Sequence, residues 1–226
     1  MQESSPDKLN EKQVSTEEVD NKQVSTEKSD KNHIETDELI VTAFSFYGIM
    51  LVGSMVLSFV FKGNLFLWPG SLIKLAIGIG AGIFVGVSVA LISRILIRFP
   101  RWKKLFSGFK KILGHLDKKD AFILALMSAT GEEAFFRGLL QPWLGIPFTS
   151  FLFAVLHAPQ IFNKESEETS DFALWPWFAL IIGIMLGWLA QYTGTWISSA
   201  VAHMVINYLN LVYICSQPSL ENETNR

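Results

Sequence analysis

At 226 residues the chain has the length of a single domain, but 50% of it is hydrophobic and its mean hydropathy is +0.31, which excludes an ordinary soluble protein. The formal net charge of −2 conceals an acidic start, 5 Lys against 11 Asp and Glu over residues 1–38, and a remainder of 14 basic against 10 acidic residues; a uniformly basic nucleic-acid binder is excluded. A lone cysteine, Cys215, excludes an internal disulfide and leaves the redox compartment open.

Residues 1–38 lack the basic start and apolar run of a secretory signal. Within them residues 11–20 recur almost intact as 21–30. So polar a segment has too little apolar surface to offset chain entropy, and it is expected to be a disordered acidic tail. A membrane domain is expected over 39–216, followed by a polar tail over 217–226.

A bilayer core of about 30 Å takes roughly 20 mainly apolar residues per helix. About six stretches fit that ruler: 39–61, 75–92, 121–143, 146–162, 172–192 and 195–215. The second carries Gly78, Gly82 and Gly86 on one face, a small-residue stripe that lets another helix approach closely. Between the second and third, Arg94, Arg98, Arg101, Lys103, Lys104, Lys110, Lys111, Lys118 and Lys119 stand against Asp117 and Asp120 alone. Trp102, Leu105, Phe106, Phe109, Ile112 and Leu113 are interleaved at helical spacing, so this segment predicts a basic amphipathic helix in the membrane interface. The positive-inside rule puts it, and with it both termini, on the cytoplasmic side. Breaks at 142–147 and 193–194 predict tight hairpins.

Ionisable side chains inside hydrocarbon cost roughly 2.5–3.5 kcal/mol each on insertion scales. The last four stretches nevertheless hold Glu132, Glu133, Arg137, His157, His203 and Asn207. Glu133 and Arg137, four apart, suit an ion pair within one helix. Glu132 points about 100° away from Glu133 and is the carboxylate left over. His157 follows Phe153 by four residues, so that ring can pack on the imidazole; His203 and Asn207 share a helix face. Counted from the expected cytoplasmic ends, Glu132 and His203 lie about 18 Å deep, but His157 only about 8 Å. Hydrogen-bonding glue between helices accounts for any one of these residues, but poorly for all six. A carboxylate and two imidazoles can bind and deprotonate water, and an amide can donate to an oxyanion.

Three motifs then stand in order: Glu132-Glu133-x-x-x-Arg137, Phe153-x-x-x-His157 and His203-x-x-x-Asn207. Together they resemble the CPBP family, which comprises CAAX prenyl proteases of the Ras-converting endopeptidase type and bacteriocin-processing or self-immunity proteins. The resemblance covers about residues 119–210. It implies an all-α polytopic membrane bundle acting as an intramembrane peptidase on a membrane-associated, prenylated or CAAX-like protein or peptide, with the lipid bilayer as its surroundings and no nucleic acid as partner. Glu132 would be the general base, with His157 holding the water. His203 and Asn207 would stabilise the oxyanion, and Glu133, Arg137 and Phe153 would support them. Fewer spans than in prenyl-protein members point to the bacterial-type branch.

No cofactor is expected to be required. Glu132, His157 and His203 are the residues that would hold zinc or another divalent metal if one were used, but there is no HExxH. A non-catalytic membrane partner or self-immunity protein of the same family is the alternative. A proton-coupled transporter ranks last, for want of an internal repeat in the membrane region.

Overall fold

The computed structural model describes residues 36–61, 71–158, 172 and 174–217; of the expected tails 1–38 and 217–226, residues 1–35 and 218–226 lie outside them, while 36–38 are helical and open the first span. The chain divides into two units at Leu39/Ile40, and the candidate site lies wholly within the second. Every regular element among the described residues is helical: α1 (Thr36–Val60), α2 (Leu72–Leu96), α3 (Pro100–Leu113), α4 (Lys118–Glu133), a π-helix (Ala134–Leu140), α5 (Gln141–Leu156), α6 (Trp175–Thr193) and α7 (Trp196–Ser216).

Five helical runs are long and apolar enough to cross a bilayer: α1, α2, the continuous run Lys118–Leu156, α6 and α7. This is an all-α, polytopic integral membrane bundle. The expectation of about six spans differs at the third run, where 121–143 and 146–162 are joined without a loop. That run is not straight. Gly145 has φ 71° and ψ 171°, a backbone that side chains disfavour, and Pro147 follows it. Phe136 and Phe153 meet at 5.1 Å between ring centres, whereas a straight helix would hold them about 25 Å apart. The run is therefore a hairpin. Its returning arm, from Ile146 to Leu156, reaches only about 16 Å, roughly half a bilayer core; residues 159–162 of the expected span lie outside the described residues.

The second expected turn forms as the sequence predicts. Gly194 closes α6 at φ 70°, and the Thr195 hydroxyl accepts the Ile197 N–H at 3.2 Å to begin α7. Asp117 likewise caps α4, accepting the Asp120 N–H at 2.8 Å. That backbone bond holds its exposed carboxyl below the ordinary aspartate range, so the cap is present at neutral pH and weakens as acid protonates it.

α7 is the central element, packed against α2, α3, α4, α6 and the π-helix. Val89, Ile182, Leu186, Ala202 and Ile206 join α2, α6 and α7 in one buried cluster. The glycine stripe serves this contact: a Cβ on Gly82 would come 2.5 Å from the Ser198 carbonyl, and one on Gly86 2.7 Å from Val205 Cβ. Gly86→Val is expected to overpack the seam and to cost about 1–3 kcal/mol. It should appear as a lower thermal midpoint in detergent, and an unchanged midpoint would rule out the α2–α7 packing described.

The basic helix is present as α3, begun by Pro100 and amphipathic as expected. What its apolar stripe meets is a finding. Trp102 packs edge-on against Phe178, Phe106 against Tyr213, and Phe109 against Phe172 and Trp175. Leu105 is buried, while Ile112 remains exposed. Aromatic side chains on and near α6 and α7 offer the stripe a packed partner, so it turns towards the bundle.

Candidate active site

The hairpin sets the register of the site. Glu132 lies thirteen residues before Gly145 and His157 twelve after it, about 20 and 18 Å along the two arms. The two side chains are therefore level, and His157 Nε2 stands 3.6 Å from Glu132 Oε2. This removes the mismatch of depth found by counting from residue 162: α5 ends at Leu156, and the informative origin is the turn.

The His157 ring is fixed on two sides. Its Nδ1 lies 2.8 Å from the Phe153 carbonyl oxygen; an oxygen there can only accept, so Nδ1 carries a proton, and in the neutral form of the ring Nε2 presents its lone pair. The Phe153 ring covers the imidazole at 4.2 Å between centres, tilted 34°. In the neutral form of the ring, Nε2 and Glu132 Oε2 are two acceptors facing one another. Glu132 Oε2 is buried and has no hydrogen-bond partner among the described residues. Such a pair suits a small molecule able to donate two hydrogen bonds.

Glu133 is turned away from that pair and is fully buried. Its Oε1 lies 3.1 Å from Arg137 Nη1 and 2.9 Å from His203 Nδ1. The expected ion pair within one helix thus gains a third member on α7, which orients His203. Arg137 also donates to the Gly183 carbonyl at 3.0 Å, and its guanidinium lies 4.7 Å from the centre of the Phe153 ring. The π-helix begins directly after Glu133. Such widened turns are rare and frequent at functional sites. Asn207 Nδ2 donates to the Ser128 hydroxyl at 3.1 Å, which leaves its second N–H for another acceptor.

Glu132, His157, His203 and Asn207 all line one cavity of about 280 Å³. The four residues assigned to chemistry are thereby brought to one space; Glu133 and Arg137 stand behind it, and Phe153 forms part of its wall. The remaining wall is mostly apolar and includes Trp102, Leu105, Phe106 and Phe109 of α3 together with Trp175 and Phe178. Four polar lining residues escaped the sequence reading: Tyr47, Ser93, Ser128 and Asn210. Asn210 follows Asn207 by three on the same face and was open to the same spacing rule; its Oδ1 is buried without a hydrogen-bond partner among the described residues. Tyr47 carried no signal, because nothing in α1 says which helix it packs against.

The donor set fits a metal poorly. Among the described residues no three His, Cys, Asp or Glu are disposed to hold one ion, and His203 commits Nδ1 to Glu133.

Residues 119–209 match the family model described as type II CAAX prenyl endopeptidase Rce1-like, which bears out, over that segment, the resemblance carried by the three motifs. The chain is also 32% identical over 107 residues to the uncharacterized protein YpbD of Bacillus subtilis, 46% of this chain and 47% of that one. It thus spans about half the length of that curated relative. No solved structure matches.

Proposed function

We propose that this protein is an intramembrane endopeptidase that hydrolyses a peptide bond of a membrane-associated protein or peptide, with a prenylated or CAAX-like C-terminus as the substrate class. The observation that carries the reading is the facing pair, Glu132 Oε2 and His157 Nε2 at 3.6 Å, inside a mainly apolar cavity. The Rce1-like match supports the same chemistry.

In this mechanism a water donates one O–H to His157 Nε2 and the other to Glu132. Glu132 takes a proton as the water oxygen bonds to the scissile carbonyl carbon. The carbonyl oxygen becomes an oxyanion and accepts from the free Asn207 N–H and from a protonated His203 Nε2, for which Glu133 supplies the countercharge. Collapse of the intermediate breaks the C–N bond, and the proton on Glu132 passes to the departing nitrogen. No step uses a metal, so prolonged chelation is expected to leave the rate within about twofold; reversible loss on chelation, restored by zinc, would contradict this. The apolar wall would receive the lipid-like part of the substrate, and α3, on the cytoplasmic side by its charge, would lie over the site's mouth.

The biological test compares protein termini in membranes of cells making the wild type or Glu132→Ala. The reading expects at least one membrane protein whose new terminus occurs only with the wild type. Identical sets of termini would count against an endopeptidase.

A further inference from the structure

Tyr47 lies on α1, outside the three motifs and outside the segment that matches the family model, yet it lines the cavity beside Glu132. The two side chains border the same space and interact electrostatically. The helices are also close at the level of the backbone. A methyl group added to Gly131 would come within 2.7 Å of the Tyr47 carbonyl oxygen and 2.9 Å of Tyr47 Cβ. The residue just before the proposed base is therefore a glycine where α1 rests on α4.

We infer that Tyr47 is the positioning residue of the Glu132 carboxylate: its O–H donates to Glu132 and holds the group so that Oε2 faces His157 Nε2. The inference rests on the reading of Glu132 as the base. A glutamate side chain has several rotatable bonds, and ordering it costs conformational entropy. In a cavity of about 280 Å³, an unanchored carboxylate would sample positions that miss the histidine. A His157 ring in its neutral form does not anchor it, because Nε2 then presents a lone pair rather than a proton. A phenol suits the task inside a membrane helix, since its ring packs as an apolar body and only its tip is polar. The donor must come from a helix able to approach closely, and Gly131 provides that approach. α1 thereby becomes part of the catalytic apparatus as well as a span.

The test uses the full chain in detergent with an internally quenched, farnesylated CAAX peptide as probe. For Tyr47→Phe, which removes one oxygen and keeps the ring, kcat is expected to fall roughly 10- to 100-fold, while KM stays within about twofold and the thermal midpoint within about two degrees, as for a loss confined to the transition state. Gly131→Ala, which pushes α1 away and leaves the hydroxyl intact, should reproduce the same split between kcat and KM. A wild-type kcat for Tyr47→Phe would overturn the inference, and so would a loss matched by a rise in KM and a lower midpoint, which marks a purely structural tyrosine. The two levels of failure are separable. Full activity in Glu132→Gln sinks the base assignment and this inference with it. An inactive Glu132→Gln beside an unimpaired Tyr47→Phe removes Tyr47 alone.

Discussion

Glu132→Gln is expected to lower kcat by roughly 10²–10⁴-fold, the usual contribution of a positioned general base, while the protein folds with an unchanged thermal midpoint. The expectation follows from what the side chain touches. Glu132 makes no direct ion pair with Arg137 or His203, although its charge acts on both, and its Oε2 has no hydrogen-bond partner among the described residues. Glutamine keeps the length and the acceptor oxygen needed by Tyr47, but it cannot take a proton from water at neutral pH. Fold and chemistry are thus separable at this position. A glutamine variant with wild-type kcat would show that the carboxylate is not the base, and one that fails to fold would show that Glu132 is structural after all.

The neighbouring carboxylate is expected to behave in the opposite way. Glu133→Ala leaves the buried Arg137 guanidinium without its countercharge, and breaking a buried pair by removing one partner costs about 3–5 kcal/mol. The Arg137 side chain is buried. The expected result is a sharp fall in folded yield and thermal midpoint, measured in detergent. Replacing both partners by apolar residues of similar volume, Glu133→Leu with Arg137→Met, should recover most of the folded protein, because no buried charge is then left alone. Catalysis should not return with it, since His203 loses the carboxylate that orients its ring. A Glu133→Ala protein as stable as the wild type would contradict the cluster as described.

The contrast between these two adjacent residues was legible in the sequence, because i,i+4 spacing pairs Glu133 with Arg137 and rotates Glu132 away. The hairpin glycines were legible too: Gly145 and Gly194 stand where the apolar runs break, and both adopt positive φ. The glycine stripe of α2 found its partner in α7. Other features were hidden for physical reasons. Helical register can be counted from either end of a span, and for His157 only the turn at Gly145 is the correct origin. The π-helix leaves no compositional trace. The inward turn of α3 depends on aromatic groups more than sixty residues distant, and an amphipathic pattern alone cannot distinguish lipid from protein as the apolar partner. Tyr47 illustrates the same limit, for its role exists only once α1 and α4 are packed.

The most direct measurement of the central claim, that Glu132 activates water at His157, follows the oxygen. The full-length protein in detergent would be given the quenched, farnesylated CAAX peptide in water enriched in oxygen-18, and the products weighed by mass spectrometry. One heavy oxygen in the new carboxyl terminus is predicted for the wild type, with little or no product from Glu132→Gln. Cleavage by Glu132→Gln at the wild-type rate, with the same label in the product, would contradict it.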